Sequence, residues 1–136
     1  MRKMKRFSFL KKKNSTALGQ KENMEIDWPD HVLTLDGDNF DEFIEKYPLS
    51  IVDFWAPWCA PCKIMLPRLR KLSKIYHGKL AFGRLNTTKN EHIAKKYRIA
   101  SIPNLIFFSY GRKIKSITGV KSVGEIKKVI DKMLRG

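Results

Sequence analysis

The hydrophobic and polar positions of this chain follow two alternating patterns, one typical of strands and one typical of helices. Short runs rich in apolar and β-branched residues predict strands at 31–35, 48–56 and 79–86. A fourth run, 104–119, reads as two strands that turn at Tyr110-Gly111. The run 48–56 is almost wholly apolar, which favours a strand buried on both faces.

Between these strands, apolar residues spaced three and four apart predict helices at 38–47, 63–76, 90–98 and 122–136. Asp38 or Asn39 suits the N-cap of the first helix. In the second helix, the apolar face is predicted to hold Ile64, Met65, Leu69, Leu72 and Ile75. Pro67 lies inside that pattern and should kink the helix without ending it. The order βαβαβαββα predicts an α/β protein with a mixed sheet and helices on both faces.

The first 27 residues lack a steady period and are predicted to be a basic, mobile extension, followed by one folded domain over residues 28–136. The opening apolar segment covers only Phe7 to Leu10. That is too short for a secretory signal, and no apolar run reaches the ~20 residues that span a bilayer. We therefore expect a cytoplasmic protein.

Charge divides the chain into three parts. The formal net charge is +15, with eight Lys or Arg in residues 1–21, ten acids in 22–53, and nineteen bases against three acids in 54–136. Such a surface favours acidic partners, although many of these lysines are also expected simply to solvate helix faces. The extension could bind weakly to an anionic membrane or to nucleic acid phosphates.

The only two cysteines, Cys59 and Cys62, lie in FWAPWCAPCK. A disulfide between them closes a very short loop and would constrain the unfolded chain little. A closed zinc site needs four ligands. Besides the two cysteines, the chain has three histidines, and no two of them have the spacing of a zinc-binding histidine pair. We expect no metal and no other cofactor, although a zinc site shared by two chains stays formally open. A lone nucleophilic cysteine would leave the second cysteine unexplained.

The pair falls where an apolar strand ends and a helix begins. Unpaired N–H groups and the helix dipole favour a thiolate there and should lower the pKa of the first sulfur. The second thiol, one turn further, could then attack a mixed disulfide formed at the first. This spacing predicts a two-step thiol–disulfide exchange.

VDFWAPWCAPCK, followed about forty residues later by SIPN, resembles the thioredoxin family from Val32 to the C-terminus. The resemblance implies the thioredoxin fold, a central mixed sheet flanked by helices on both faces. It also implies that Cys59 attacks, that Cys62 resolves, and that Asp53 is the buried acid that takes the proton of Cys62.

The same resemblance implies a docking groove for substrate. Pro103 matches a cis-proline that leaves the Ile102 backbone free to pair with an extended substrate. The rest of the groove would be formed by Trp58, Pro61, Gly119 and Val120. Three residues depart from the family pattern: Ala60 and Asn104 stand where glycine and threonine are usual, and Arg84 takes the place of a lysine that usually approaches the buried acid.

We expect a protein-disulfide reductase whose partners are protein disulfide substrates and a thioredoxin reductase or equivalent electron donor. Pro61 favours this reading, since strongly oxidising relatives usually carry histidine at that place. A disulfide oxidase or isomerase of the same fold is an alternative. So is a thioredoxin-like adaptor tethered to a membrane surface.

Overall fold

The strands predicted from the apolar runs form a single five-stranded sheet. The computed structural model describes residues 26–136, so the predicted extension lies outside the described residues except for its last two. The strands are β1 (Leu33–Leu35), β2 (Ser50–Trp55), β3 (Ala81–Asn86), β4 (Asn104–Ser109) and β5 (Arg112–Thr118).

The strand order across the sheet is β1-β3-β2-β4-β5, with β2 at the centre. The β1–β3 and β3–β2 pairs are parallel, whereas β2–β4 and β4–β5 are antiparallel. The sheet is therefore mixed, as predicted. Within it, Asp53 of β2 pairs in register with Arg84 of β3 on one side and with Leu105 of β4 on the other.

Three helices connect the described strands and a fourth follows the last strand, in the predicted order: α1 (Phe40–Lys46), α2 (Ala60–Ile75), α3 (Glu91–Lys96) and α4 (Val123–Arg135). They cover both faces of the sheet. Residues of α1 and α3 pack in one apolar cluster, together with Val52 and Phe54 of β2. Residues of α2 and α4 pack in a second cluster with Ile51, because successive side chains of a strand point to opposite faces.

The predicted apolar face of α2 is partly wrong. Ile64 and Ile75 are 49% and 45% exposed. The buried stripe is instead formed by Cys62, Met65, Leu69, Leu72 and the residue that caps the helix, Tyr76. Positions 64 and 75 each lie one residue from this stripe, about 100° around the helix, and so point away from the sheet. The helix continues through Pro67, as predicted.

Two turns also clarify the sequence pattern. Asn39 occupies the N-cap position of α1 but does not cap it, because its Oδ1 accepts the N–H of Asp36 at 2.8 Å. The β4–β5 turn falls at Tyr110-Gly111, as predicted, with φ of 45° and 89°. Two positive φ values suit a tight hairpin, whose twist matches that of its strands.

No helix among residues 26–136 is long and apolar enough to cross a membrane.

Candidate active site

Cys59 and Cys62 lie at the junction between the central strand and α2. Cys59 is the N-cap residue of α2, with extended backbone angles. Its Sγ accepts the N–H of Cys62 at 3.2 Å, and its own N–H donates to the carbonyl of Ala56 at 3.2 Å. The two cysteines form a disulfide, with 5.3 Å between their Cα atoms. The end of β2 and the start of α2 therefore hold the two sulfurs within one helical turn of each other.

The two sulfurs differ in accessibility. Cys62 is fully buried, whereas Cys59 keeps 4% of its surface exposed. Around them, Trp58 is 73% exposed, and Pro61 is also exposed in the first turn of α2. An incoming molecule can thus reach Cys59 but not Cys62.

A loop that is far from Cys59 in the sequence packs against it. The Ile102-Pro103 peptide bond is cis, as the family resemblance implied. The carbonyl oxygen of Ile102 lies 4.0 Å from Sγ of Cys59, and the two residues share a small cluster with Ala56, Cys62 and Trp55. Gly119 donates its N–H to the carbonyl of Pro103 at 2.8 Å, which fixes the β5 end beside this loop.

Asp53 is a fully buried acid on the central strand. Its Oδ2 lies 3.4 Å from Nε of Arg84, and its Oδ1 has no hydrogen-bond partner among the described residues. The guanidinium of Arg84 also lies over the ring of Trp55, at 4.1 Å from the centroid. Asp53 therefore has one cationic neighbour and one unsatisfied oxygen inside the protein.

Burial sets the proton affinity of Asp53. Removal from water raises the pKa of this carboxyl to about 6, and the charge and hydrogen bond of Arg84 oppose the rise. A carboxylate with such a pKa can accept a proton near neutral pH, as a general base must.

The predicted site residues other than Asp53, which lies on β2 as described above, fall into two groups. Cys59, Cys62 and Ile102 are in one cluster, which Pro103 and Gly119 adjoin through the contacts above. Trp58, Pro61 and Val120 are exposed, Val120 by 40%. The backbone role of Ala56 was not predicted, since a hydrogen bond accepted by a backbone carbonyl leaves no signal in the side-chain pattern. Among residues 26–136 no group of three or more His, Cys, Asp or Glu could hold a metal ion.

A cysteine pair joined at a helix N-terminus, against a cis-proline loop, defines a thiol–disulfide oxidoreductase. Comparison with known proteins agrees. The family model described as Thioredoxin matches residues 31–132. The chain belongs to the thioredoxin family.

The similar proteins carry the same family name. The chain is 38% identical over 101 residues to "Thioredoxin" of Buchnera aphidicola, covering 74% of this chain and 94% of the relative. It is 42% identical over 94 residues to "Thioredoxin M-type, chloroplastic" of Spinacia oleracea, covering 68% of this chain. That match spans only 52% of the spinach protein.

A solved structure shares the fold. A mutant thioredoxin from Halobacterium salinarum superposes with a TM-score of 0.73 at 23% identity. The match covers 79% of this chain and 94% of the archaeal one. The predicted thioredoxin fold is thereby confirmed.

Proposed function

We propose that this protein reduces disulfide bonds in other proteins and receives its electrons from a thioredoxin reductase or an equivalent donor. The observation that carries the proposal is the difference between the two sulfurs: Cys59 keeps an exposed edge and Cys62 is fully buried behind it. Cys59 can therefore react with a substrate disulfide, whereas Cys62 can react only with Cys59.

The reaction takes two exchanges. In the reduced protein, the thiolate of Cys59 attacks one sulfur of the substrate disulfide, and the other substrate sulfur leaves as a thiolate. The thiolate of Cys62 then attacks Sγ of Cys59. This forms the Cys59–Cys62 disulfide found in the structure and releases the second substrate thiolate. Two electrons pass to the substrate, whose sulfurs take up two protons.

Asp53 serves the second exchange. Cys62 must lose its proton before it attacks, and it is shielded from bulk solvent. A buried carboxylate with a pKa of about 6 can take that proton, through a water molecule. Support for this role comes from the unsatisfied Oδ1 of Asp53, which is free to accept.

The docking groove is proposed to run from Trp58 and Pro61 across the Ile102-Pro103 loop to Gly119 and Val120. An extended substrate segment would pair with the backbone of Ile102, whose carbonyl adjoins Cys59. The exposed faces of Trp58 and Val120 would supply apolar contact on either side.

An insulin-reduction turbidity assay with dithiothreitol tests the proposal. The wild type should accelerate precipitation, and Cys59→Ser should reduce the rate to that of dithiothreitol alone. Cys62→Ser should accumulate a mixed disulfide with substrate, visible by nonreducing electrophoresis, because the second exchange is blocked. Wild-type activity in Cys59→Ser would rule out the assigned attack. A reduction potential well above that of cytosolic glutathione would favour an oxidase instead.

We assign residues 28–136 to the catalytic domain and place the protein in the cytoplasm. The basic segment before the domain is proposed to add weak binding to an anionic surface, since each Lys or Arg near such a membrane contributes on the order of 1 kcal/mol. Cosedimentation of the full chain and of residues 22–136 with anionic vesicles would test this. Equal, negligible binding by both would remove the membrane role.

A further inference from the structure

A concavity lies next to the Ile102-Pro103 loop, on the sheet face that carries α3. It measures about 440 Å³ and is lined by residues of the segment 96–104 and by Lys113, Ser116 and Thr118 of β5. We refer to it as the Asn104 pocket. It plays no part in the exchange reaction proposed above.

The pocket is positively charged. Lys96, Arg98 and Lys113 line it, and no acidic residue does among the described part of the chain. None of the three forms an ion pair with another described residue. Hydroxyl groups of Ser116 and Thr118 add further hydrogen-bond donors. Such a set suits a carboxylate, which accepts several hydrogen bonds at once.

Asn104 supplies the second feature of the pocket. It is only 9% exposed, and its Oδ1 has no hydrogen-bond partner among residues 26–136. A buried amide oxygen without a partner is unfavourable, so a ligand that donates to it is stabilised. Asn104 lines the cavity, and rotation about χ2, which is broad in asparagine, can turn this oxygen toward a ligand. Its oxygen then accepts a ligand N–H.

These two features together indicate a peptide. The three cationic side chains and two hydroxyl groups that line the pocket favour binding of an anion. The unsatisfied amide oxygen of Asn104 favours a ligand that donates a hydrogen bond. An acidic residue within a polypeptide brings both, a side-chain carboxylate and a backbone N–H.

The pocket adjoins the proposed docking groove through the backbone. Asn104 follows Pro103 directly and pairs in register with Thr118, which precedes Gly119. Two residues of chain span at most about 7 Å, so Asn104 begins close to Ile102, whose carbonyl is 4.0 Å from the Cys59 sulfur. An extended substrate advances ~3.3 Å per residue, so a residue within about four positions of its cysteine can reach the pocket.

We infer that the Asn104 pocket binds an acidic side chain of the substrate, close in sequence to the disulfide, and so selects which proteins are reduced. This inference rests on the proposed reductase function. It goes further by naming the feature that a preferred substrate carries.

The test uses the full-length protein and short synthetic peptides, each with one cysteine in a mixed disulfide with uncharged 2-mercaptoethanol. A single Glu or Gln is moved along the peptide, to about eight residues from the cysteine. We expect kcat/KM to be about fivefold higher for Glu than for Gln at a position within about four residues of the cysteine. Further away the ratio should fall toward one.

Variants separate the pocket from the overall positive charge. The Glu/Gln ratio should fall below about twofold in Arg98→Gln/Lys113→Gln and also in Asn104→Leu, which changes no charge. The matched control is Lys128→Gln/Lys132→Gln on exposed positions of α4, which removes the same charge and should keep the ratio. Should Asn104→Leu fail to fold by circular dichroism, the charged pair decides. An equal loss in both double variants, or no preference for Glu at any position, overturns the inference.

A binding measurement separates this inference from the reductase proposal. A peptide with serine in place of cysteine and Glu at the best position is titrated into ¹⁵N-labelled protein. The side-chain amide signal of Asn104 should shift, and the Gln peptide should shift it less. If the signal moves but no peptide disulfide is reduced, the pocket stands and the reductase function fails. If disulfides are reduced but the signal does not move, the pocket assignment fails.

Discussion

Asp53 and Arg84 face each other on neighbouring parallel strands, with 3.4 Å between Oδ2 and Nε. The Asp53 side chain is fully buried, and the Arg84 side chain is 17% exposed. In the thioredoxin family, lysine is usual at the position of Arg84, and a buried lysine can lose its charge. Arginine stays charged, so this buried carboxyl keeps a permanent cation beside it.

Replacing Asp53 with Asn should stabilise the oxidised protein at alkaline pH and leave it unchanged in acid. Burial raises the pKa of Asp53 from 3.8 to about 6, so the unfolded chain ionises first as pH rises. The stability that Asp53 contributes through its protonated form is fully present below pH 3.8 and is lost as pH rises through about 6. Two pKa units correspond to about 3 kcal/mol, which sets the largest gain expected near pH 8. Urea unfolding at several pH values measures it, and parallel curves for both proteins would refute it.

Removing the cation should raise the pKa of Asp53 further. Arg84 lowers that pKa through its charge and its hydrogen bond, and Arg84→Gln removes the charge and leaves at most a neutral amide donor. Titration of the Asp53 carboxyl by ¹³C NMR in the oxidised protein should show the upward shift. Arg84→Lys should shift it less, because the charge remains. Lys132→Gln, which removes a charge from an exposed position of α4, should not move it.

Trp58 should matter more for protein substrates than for small ones. At 73% exposure, its ring contributes little to the core but offers a large apolar contact to an incoming chain. We expect Trp58→Ala to lower kcat/KM for insulin about tenfold, and to lower the rate with bis(2-hydroxyethyl) disulfide much less.

The control is Tyr110→Ala, which removes another exposed aromatic ring, at the β4–β5 turn. It should leave both rates unchanged. Equal losses for insulin and for the small disulfide in Trp58→Ala would assign the ring to the structure of the cysteine loop instead.

The N-terminus of α4 should depend on its capping box. Ser122 Oγ accepts the N–H of Glu125 at 3.0 Å, and Glu125 Oε1 accepts the N–H of Ser122 at 2.9 Å. Ser122→Ala removes one of these bonds and should lower the free energy of unfolding by about 1 kcal/mol. Ser122→Asp keeps an acceptor and should lose much less. Thermal or urea unfolding distinguishes them, and identical midpoints for all three proteins would show that the cap is not needed.

The candidate site was predicted largely from local sequence. Cys59 and Cys62 were placed correctly at a strand–helix junction, because an apolar run and a helical period can each be read within a few residues. The buried position of Asp53, which the family resemblance implied, is confirmed. Its contact with Arg84 came from the family resemblance, since the two residues are far apart in the chain.

Other features could not be read in this way. Ile64 and Ile75 were assigned to the buried face of α2 because they are apolar, but the docking of that helix on the sheet selects only one stripe of it. The capping prediction for Asn39 failed in detail because a competing donor, the N–H of Asp36, lies nearby. The Asn104 pocket combines α3, a loop and β5, and no local pattern joins them.

What the sequence alone determined is the succession of strands and helices, the reactive cysteine pair and the family it belongs to, because each depends on residues close together in the chain. What only the tertiary structure decided is which apolar positions of α2 are buried, which oxygen of Asp53 lacks a partner, and which basic residues share a cavity. Those relationships depend on strand register and on how each helix packs. Both are set by burial over the whole domain, where residues tens of positions apart come into contact.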